Sequence, residues 1–218
     1  MKYLTALIAL ILTSCAAVKV VPYKVMQSRP YPAVGVLYHD ERSICTLTLI
    51  DESVVLTAAH CVNAPGSYTV RFGSDLYSVT NITMHPTFDD DWKGDKALLT
   101  IDGSPPIVPI PYAQTPVTID DSFKRVVIIG RASSFLRWTG RWIIGTLKGS
   151  DIILWPDPDR WMLFGDSGGP LIWDDCVGGI TRGFLYDSAS WPPWRVGIST
   201  DVGIFTEWID DYLRESDL

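Results

Sequence analysis

The 218-residue sequence has no cluster of lysine and arginine. Its 18 basic residues are outnumbered by 25 acidic ones, and the net charge is −7. A nucleic-acid partner therefore has no electrostatic footprint here, and the acidity serves solubility instead. Long apolar runs are missing too. The clearest one, residues 4–12, falls well short of the ~20 residues that a membrane-spanning helix needs. Histidine is scarce: His39, His60 and His85 are the only three, and their spacing fits no metal-ligand pattern. Neither a metal nor another cofactor is expected. Nothing repeats at a fixed period, which excludes a repeat architecture. Cysteine is limited to Cys15, Cys45, Cys61 and Cys176.

What is present points to a folded globular chain. Apolar residues make up 47% and charged residues 20%, enough apolar surface for a sizeable core. Fifteen prolines and 17 glycines are spread along the chain, favouring many turns and short elements. The first residues differ in kind. Lys2 precedes the apolar residues 4–12, and Thr13-Ser14-Cys15 follows them. A short apolar stretch after a basic start reads as a secretion signal over residues 1–14. Leu12-Thr13-Ser14-Cys15 resembles the lipobox of bacterial lipoproteins, which implies cleavage before Cys15 and lipid on its sulfur. An ordinary signal peptide is the alternative. Ala16, where such lipoproteins often carry an inner-membrane Asp signal, leans towards the outer membrane. The expected setting is the periplasmic face of the envelope, with the membrane touched only through the lipid. A tether over residues 15–30 would then lead to a domain over 31–218. With Cys15 lipidated, the other three cysteines allow one bridge and leave one thiol over; Cys176 is read as that buried free thiol.

From Tyr31 onwards, short runs rich in β-branched and aromatic residues cover 34–38, 44–50, 53–57, 68–72, 77–82, 96–101, 125–129, 141–147 and 151–155. Turn formers such as Asn63-Ala64-Pro65-Gly66 separate them. Many short strands at this spacing predict an all-β barrel or sandwich. One helix is predicted over 204–213, where Phe205, Trp208, Ile209 and Tyr212 form an apolar stripe opposite Glu207, Asp210 and Asp211. The Pro-rich stretch 105–116 marks a boundary between two subdomains near 105–120.

Three segments carry chemistry. In Gly165-Asp166-Ser167-Gly168-Gly169-Pro170, glycines flank a serine and let the backbone turn tightly against a substrate. The N–H groups of Gly165 and Ser167 can converge there on a developing oxyanion. In Thr57-Ala58-Ala59-His60-Cys61, a histidine ends a strand-like run, where a neutral imidazole could accept a serine proton and later release it. In Asp95-Lys96-Ala97-Leu98-Leu99, an aspartate leads straight into an apolar strand. Burying a carboxylate there needs a partner, and orienting His60 would supply one. By itself the last pentapeptide also fits a solvated aspartate at a strand start.

Taken together, TAAHC, DKALL and GDSGGP in the order His, Asp, Ser closely resemble the chymotrypsin-like serine proteases. Tyr31-Pro32 with Val34-Gly35-Val36, His85-Pro86 ahead of Asp95, and Gly203–Thr206 with Trp208-Ile209 extend the likeness over about residues 31–213. The resemblance implies two Greek-key six-stranded β-barrels with a C-terminal helix. It also implies a catalytic triad of His60, Asp95 and Ser167, an oxyanion hole at Gly165 and Ser167, a disulfide between Cys45 and Cys61, and peptide or protein substrates. Three departures stand out. In many family members a new N-terminus pairs with the aspartate before the nucleophile, here Asp166. The equivalent terminus would fall near Val20, after Lys19, without the usual glycines, so another donor is expected for Asp166. The cysteines usual beside the nucleophile are absent, with Leu163 in one such place. Trp161 stands where trypsin-like enzymes keep an acidic pocket base, which implies a shallow or apolar pocket.

The reaction class follows as serine endopeptidase. A protease fold that binds without cleaving is the main alternative, and an esterase is another. Residues 165–169 fit the bare G-x-S-x-G pattern, but the His-Asp-Ser order and the lack of βα alternation argue against an α/β-hydrolase.

Overall fold

The computed structural model describes residues 31–89, 93–130, 137–143, 149–156, 162–187 and 194–216. Six strands form a first closed barrel: β1 (Val34–His39), β2 (Arg42–Leu49), β3 (Val54–Thr57), β4 (Tyr68–Phe72), β5 (Asp75–Met84) and β6 (Ala97–Ile101). They close in the order β1-β2-β3-β6-β5-β4. A second barrel runs β10-β11-β12-β9-β8-β7. Its strands are β7 (Arg125–Gly130), β8 (Arg137–Ile143), β9 (Asp151–Pro156), β10 (Pro170–Trp173), β11 (Cys176–Asp187) and β12 (Trp194–Asp201). Helix α1 (Thr206–Ser216) ends the described chain. The all-β, chymotrypsin-like fold expected from the sequence is the one observed.

Local sequence explains the strands. β4 alternates strictly, burying Tyr68, Val70 and Phe72 while Thr69 and Arg71 stay partly exposed. β3 is buried at every residue, paired between β2 and β6 and packed within the main hydrophobic core. Two hairpins, β1–β2 and β10–β11, turn on two residues each: Asp40-Glu41 and Asp174-Asp175. All four have positive φ, the left-handed conformation that matches the twist of a tight hairpin. Closing each barrel leaves no free sheet edge, and the interiors fill with Leu, Ile and Val.

The segment 102–124 joins the barrels. Tyr112 bridges in parallel to Val177 of β11, and the Val117 N–H donates to Asp201 at the end of β12 (2.8 Å). α1 packs its apolar side inward, with Ile209 fully buried and Trp208 against His85. The sequence stripe at 205, 208, 209 and 212 is that inward side. The helix proper begins two residues later than expected, because Gly203–Phe205 forms a 3-10 turn first.

Two expectations are corrected. Cys176, read from the sequence as a free thiol, is disulfide-bonded. Its partner lies outside the described residues, and a pairing between cysteines far apart in sequence leaves no local pattern. The strand expected over 141–147 already begins at Arg137 and is described to Ile143, pairing with β7; residues 144–147 lie outside the described residues. Cys15 and the region around Val20 lie outside the described residues, as do Trp161 and the aspartates 90 and 91.

Candidate active site

Strand pairing brings the two halves of the first barrel's contribution together. β3 and β6 run antiparallel with Thr57 opposite Ala97. The turn Ala59–Cys61 just after β3 therefore lies beside the residues just before β6. His60 and Asp95 meet there. The His60 backbone N–H donates to Asp95 Oδ1 (2.9 Å), and His60 Nδ1 lies 2.7 Å from Asp95 Oδ2. Asp95 is fully buried. An ionised carboxylate can only accept, so Nδ1 carries the shared proton. The Cys45–Cys61 disulfide pins this turn to β2, as the resemblance implied.

Ser167 comes from the loop before β10. Gly165 and Gly168 hold φ of +94° and +78°, values a side chain rarely tolerates. A Cβ on Gly168 would lie 2.2 Å from Thr57 Oγ1 and 2.3 Å from the Thr46 carbonyl, so the glycine lets the loop press on the first barrel. The Ser167 hydroxyl donates to the Arg182 carbonyl of β11 (3.4 Å). Backbone donors of the loop divide into two groups. Asp166, Gly168 and Gly169 donate to Leu163, Thr181 and Asp166 carbonyls. Among the described residues, no bond takes up the N–H groups of Gly165 and Ser167. These are the two donors expected to face an oxyanion.

Asp166 is buried, and the Leu163 N–H donates to its Oδ2 (2.8 Å). Gly130 of β7 leaves it room, since a Cβ there would come within 2.2 Å of Asp166 Oδ1. A donor from within its own loop thus serves the carboxylate.

His60 and Ser167 line one cleft of about 570 Å³, together with Met162, Leu163, Phe184 and Ile198. Arg182 is the one cation among the described lining residues, and Asp151 holds its guanidinium at 2.7 Å. The Cys45, His60 and Cys61 donor atoms cluster within 4.8 Å, but the two sulfurs are bonded to each other and are no thiolate ligands.

Sequence reasoning missed several residues here. Thr46 and Arg182 stand inside strands with no local signature. Lys96, next to Asp95, is fully buried with Nζ on the face of Phe205, and among the described residues Nζ has no hydrogen-bond partner. Burial pushes its pKa down to about 6, the adjacent Asp95 opposing this only in part. Burial, and then Lys96, push His85 down to about 4, so its ring is neutral against Phe205 and Trp208.

Comparison with known proteins agrees with this architecture. A family model described as Trypsin matches residues 21–137. Among solved structures, mouse neuropsin, a serine protease expressed in the limbic system of the brain, superposes with a TM-score of 0.70 at 22% identity. That match covers 84% of this chain and 95% of the other. Human heparin binding protein gives 0.74 at 21% identity, covering 86% and 94%. HL collagenase gives 0.69 at 23% identity, covering 84% and 94%. At these identities the three structures share the fold.

Proposed function

Because the chain belongs to the trypsin family, we propose that it is a serine endopeptidase with Ser167 as nucleophile, His60 as general base and Asp95 as the group that orients His60. The observation that carries this reading is the buried Asp95 carboxylate on His60 Nδ1, with His60 and Ser167 lining one cleft. In the proposed reaction the Ser167 hydroxyl turns from the Arg182 carbonyl to Nε2 and attacks the substrate carbonyl. The proton passes to His60, and Asp95 stabilises the imidazolium without taking the proton itself. The N–H groups of Gly165 and Ser167 receive the oxyanion. His60 then protonates the leaving amine, and water hydrolyses the acyl-enzyme by the same steps in reverse. Met162, Phe184 and Ile198 favour an apolar side chain next to the scissile bond, with the Arg182 charge already met by Asp151. The disulfide and the apolar residues 4–12 support an extracytoplasmic setting.

A second reading is a protease fold that binds a partner without cleaving it. It is favoured by the structural likeness to a protein named for heparin binding and by a Ser167 hydroxyl directed at Arg182. A fluorophosphonate probe separates the two. The folded wild type is expected to label stoichiometrically and the Ser167→Ala variant not at all. Folded wild type that stays unlabelled overturns the enzyme reading.

A further inference from the structure

We propose that Thr46 is a positioning residue that sets the oxyanion site, by clamping the nucleophile loop of the second barrel from a strand of the first. This rests on the serine endopeptidase reading. Thr46 follows Cys45 in β2 and is fully buried. Its Oγ1 donates to the Gly165 carbonyl (2.7 Å), and its backbone N–H donates to the Ser167 carbonyl (2.8 Å). It therefore grips both residues whose N–H groups are left for the oxyanion. Its own carbonyl is fixed from behind by the Thr57 hydroxyl (2.9 Å), within the segment that presents His60.

The side chain does what the backbone cannot. Gly165 has no Cβ, and at a φ of +94° it sits in a region from which a glycine moves at little cost. Its neighbours Leu163 and Phe164 are exposed and give it little packing. Without an external anchor the peptide planes on either side of Gly165 can rotate, and its N–H loses its aim. Oxyanion donors act through their fixed direction, so rotation costs transition-state stabilisation and leaves ground-state binding largely intact. The Thr46 hydroxyl supplies the anchor by holding the Gly165 carbonyl. Its Cγ2 occupies the space beside Gly169, where an added Cβ would meet it at 3.1 Å.

The test compares Thr46→Val, which keeps the branched shape and removes the hydroxyl, with Thr46→Ser, which keeps the hydroxyl. Rates on a peptide amide are expressed per labelled active site, so that any misfolded fraction drops out. Thr46→Val is expected to lower kcat about tenfold, the worth of roughly one neutral hydrogen bond. KM should stay within about twofold, and affinity for a peptide boronate, which forms a tetrahedral adduct, should fall by the same factor as kcat. Thr46→Ser should recover most of the rate. Equal kcat in Thr46→Val and wild type overturns the proposal, as does a loss in Thr46→Ser as large as that in Thr46→Val. A wild type that neither labels nor turns over overturns the endopeptidase reading instead, so the two failures are distinct.

Discussion

Lys96 is the residue whose chemistry is least expected from its place. It follows Asp95 directly and leads into an apolar strand, yet it is fully buried with Nζ on the face of Phe205, the ring that also packs on His85. In the unfolded chain its amine is protonated at neutral pH; in the folded protein burial brings its pKa to about 6. Between about pH 6 and its ordinary value of 10.5 the unfolded state therefore binds more protons. Stability must rise with pH across that window as far as this group is concerned. Lys96→Met fills the same space without an amine. It is expected to raise Tm at pH 7 and to flatten the stability slope between pH 6 and 10. Thermal unfolding of both proteins at several pH values checks this, and a Lys96→Met variant with a lower Tm at pH 7 contradicts it. His85 adds a slope of the same sign lower down: its pKa of about 4 lies below the ordinary 6.5, so acid below pH 6.5 weakens the fold by charging it.

At the scale of elements, the first barrel was legible because its strands carry dense β-branched runs between clear turns. Predicted strands at 34–38, 53–57 and 68–72 match β1, β3 and β4 within one residue. β10, β11 and β12 were not read as strands. β10 opens on Pro170 straight after the nucleophile loop, and β11 carries Gly178, Gly179 and Gly183, which dilute any β signal. Gly179 has a spatial reason: a Cβ there would lie 3.2 Å from the Thr200 carbonyl of β12. The site was legible to the extent that it stands in contiguous motifs. His60, Asp95, Ser167 and Gly165 each sit in one, and the structure brings His60 to Asp95 and Ser167 to the same cleft. Thr46 and Arg182 act through long-range contacts, 119 residues apart in the case of Thr46 and Gly165, and such contacts leave no local pattern. The disulfide belongs to this scale too. It spans 16 residues and ties the His60 turn to β2. Replacing Cys45 and Cys61 together by alanine is expected to cost about 3 kcal/mol in urea unfolding, by the chain-entropy relation. An unchanged unfolding midpoint would show that barrel packing alone holds the turn.

For the molecule as a whole, the question is what keeps two barrels in one register, since His60 and Asp95 come from one and Ser167 from the other. Cysteine chemistry bears on how the chain is held elsewhere. Cys176 is disulfide-bonded and Cys45 pairs with Cys61. Within the described residues, α1 is part of that fastening. Thr206 Oγ1 donates to the Ala113 carbonyl (2.9 Å), Tyr112 donates to Asp210, and Tyr212 bonds Thr100 of β6 (2.7 Å). Asp201 is the centre of this lacing. Fully buried at the end of β12, it accepts from Val117 of the connecting segment (2.8 Å) and from Gly203 ahead of α1 (2.9 Å). Asp201→Ala leaves these donors buried without an acceptor, and the expected loss is at least about 2 kcal/mol in urea at pH 7. The pH signature identifies the group. Burial raises Asp201 from 3.8 to about 6, outweighing the N–H bonds that lower it. Between those values the folded state binds more protons than the unfolded one, so the carboxylate's contribution to stability falls as pH rises and is constant above about 6. Asp201→Asn keeps one acceptor oxygen and cannot titrate. The stability difference between wild type and Asp201→Asn should therefore shrink from pH 4 to 6 and level off beyond. A difference that stays flat through this window would mean that the N–H groups of Val117 and Gly203 hold Asp201 ionised throughout, as a fixed charge on the barrel interface.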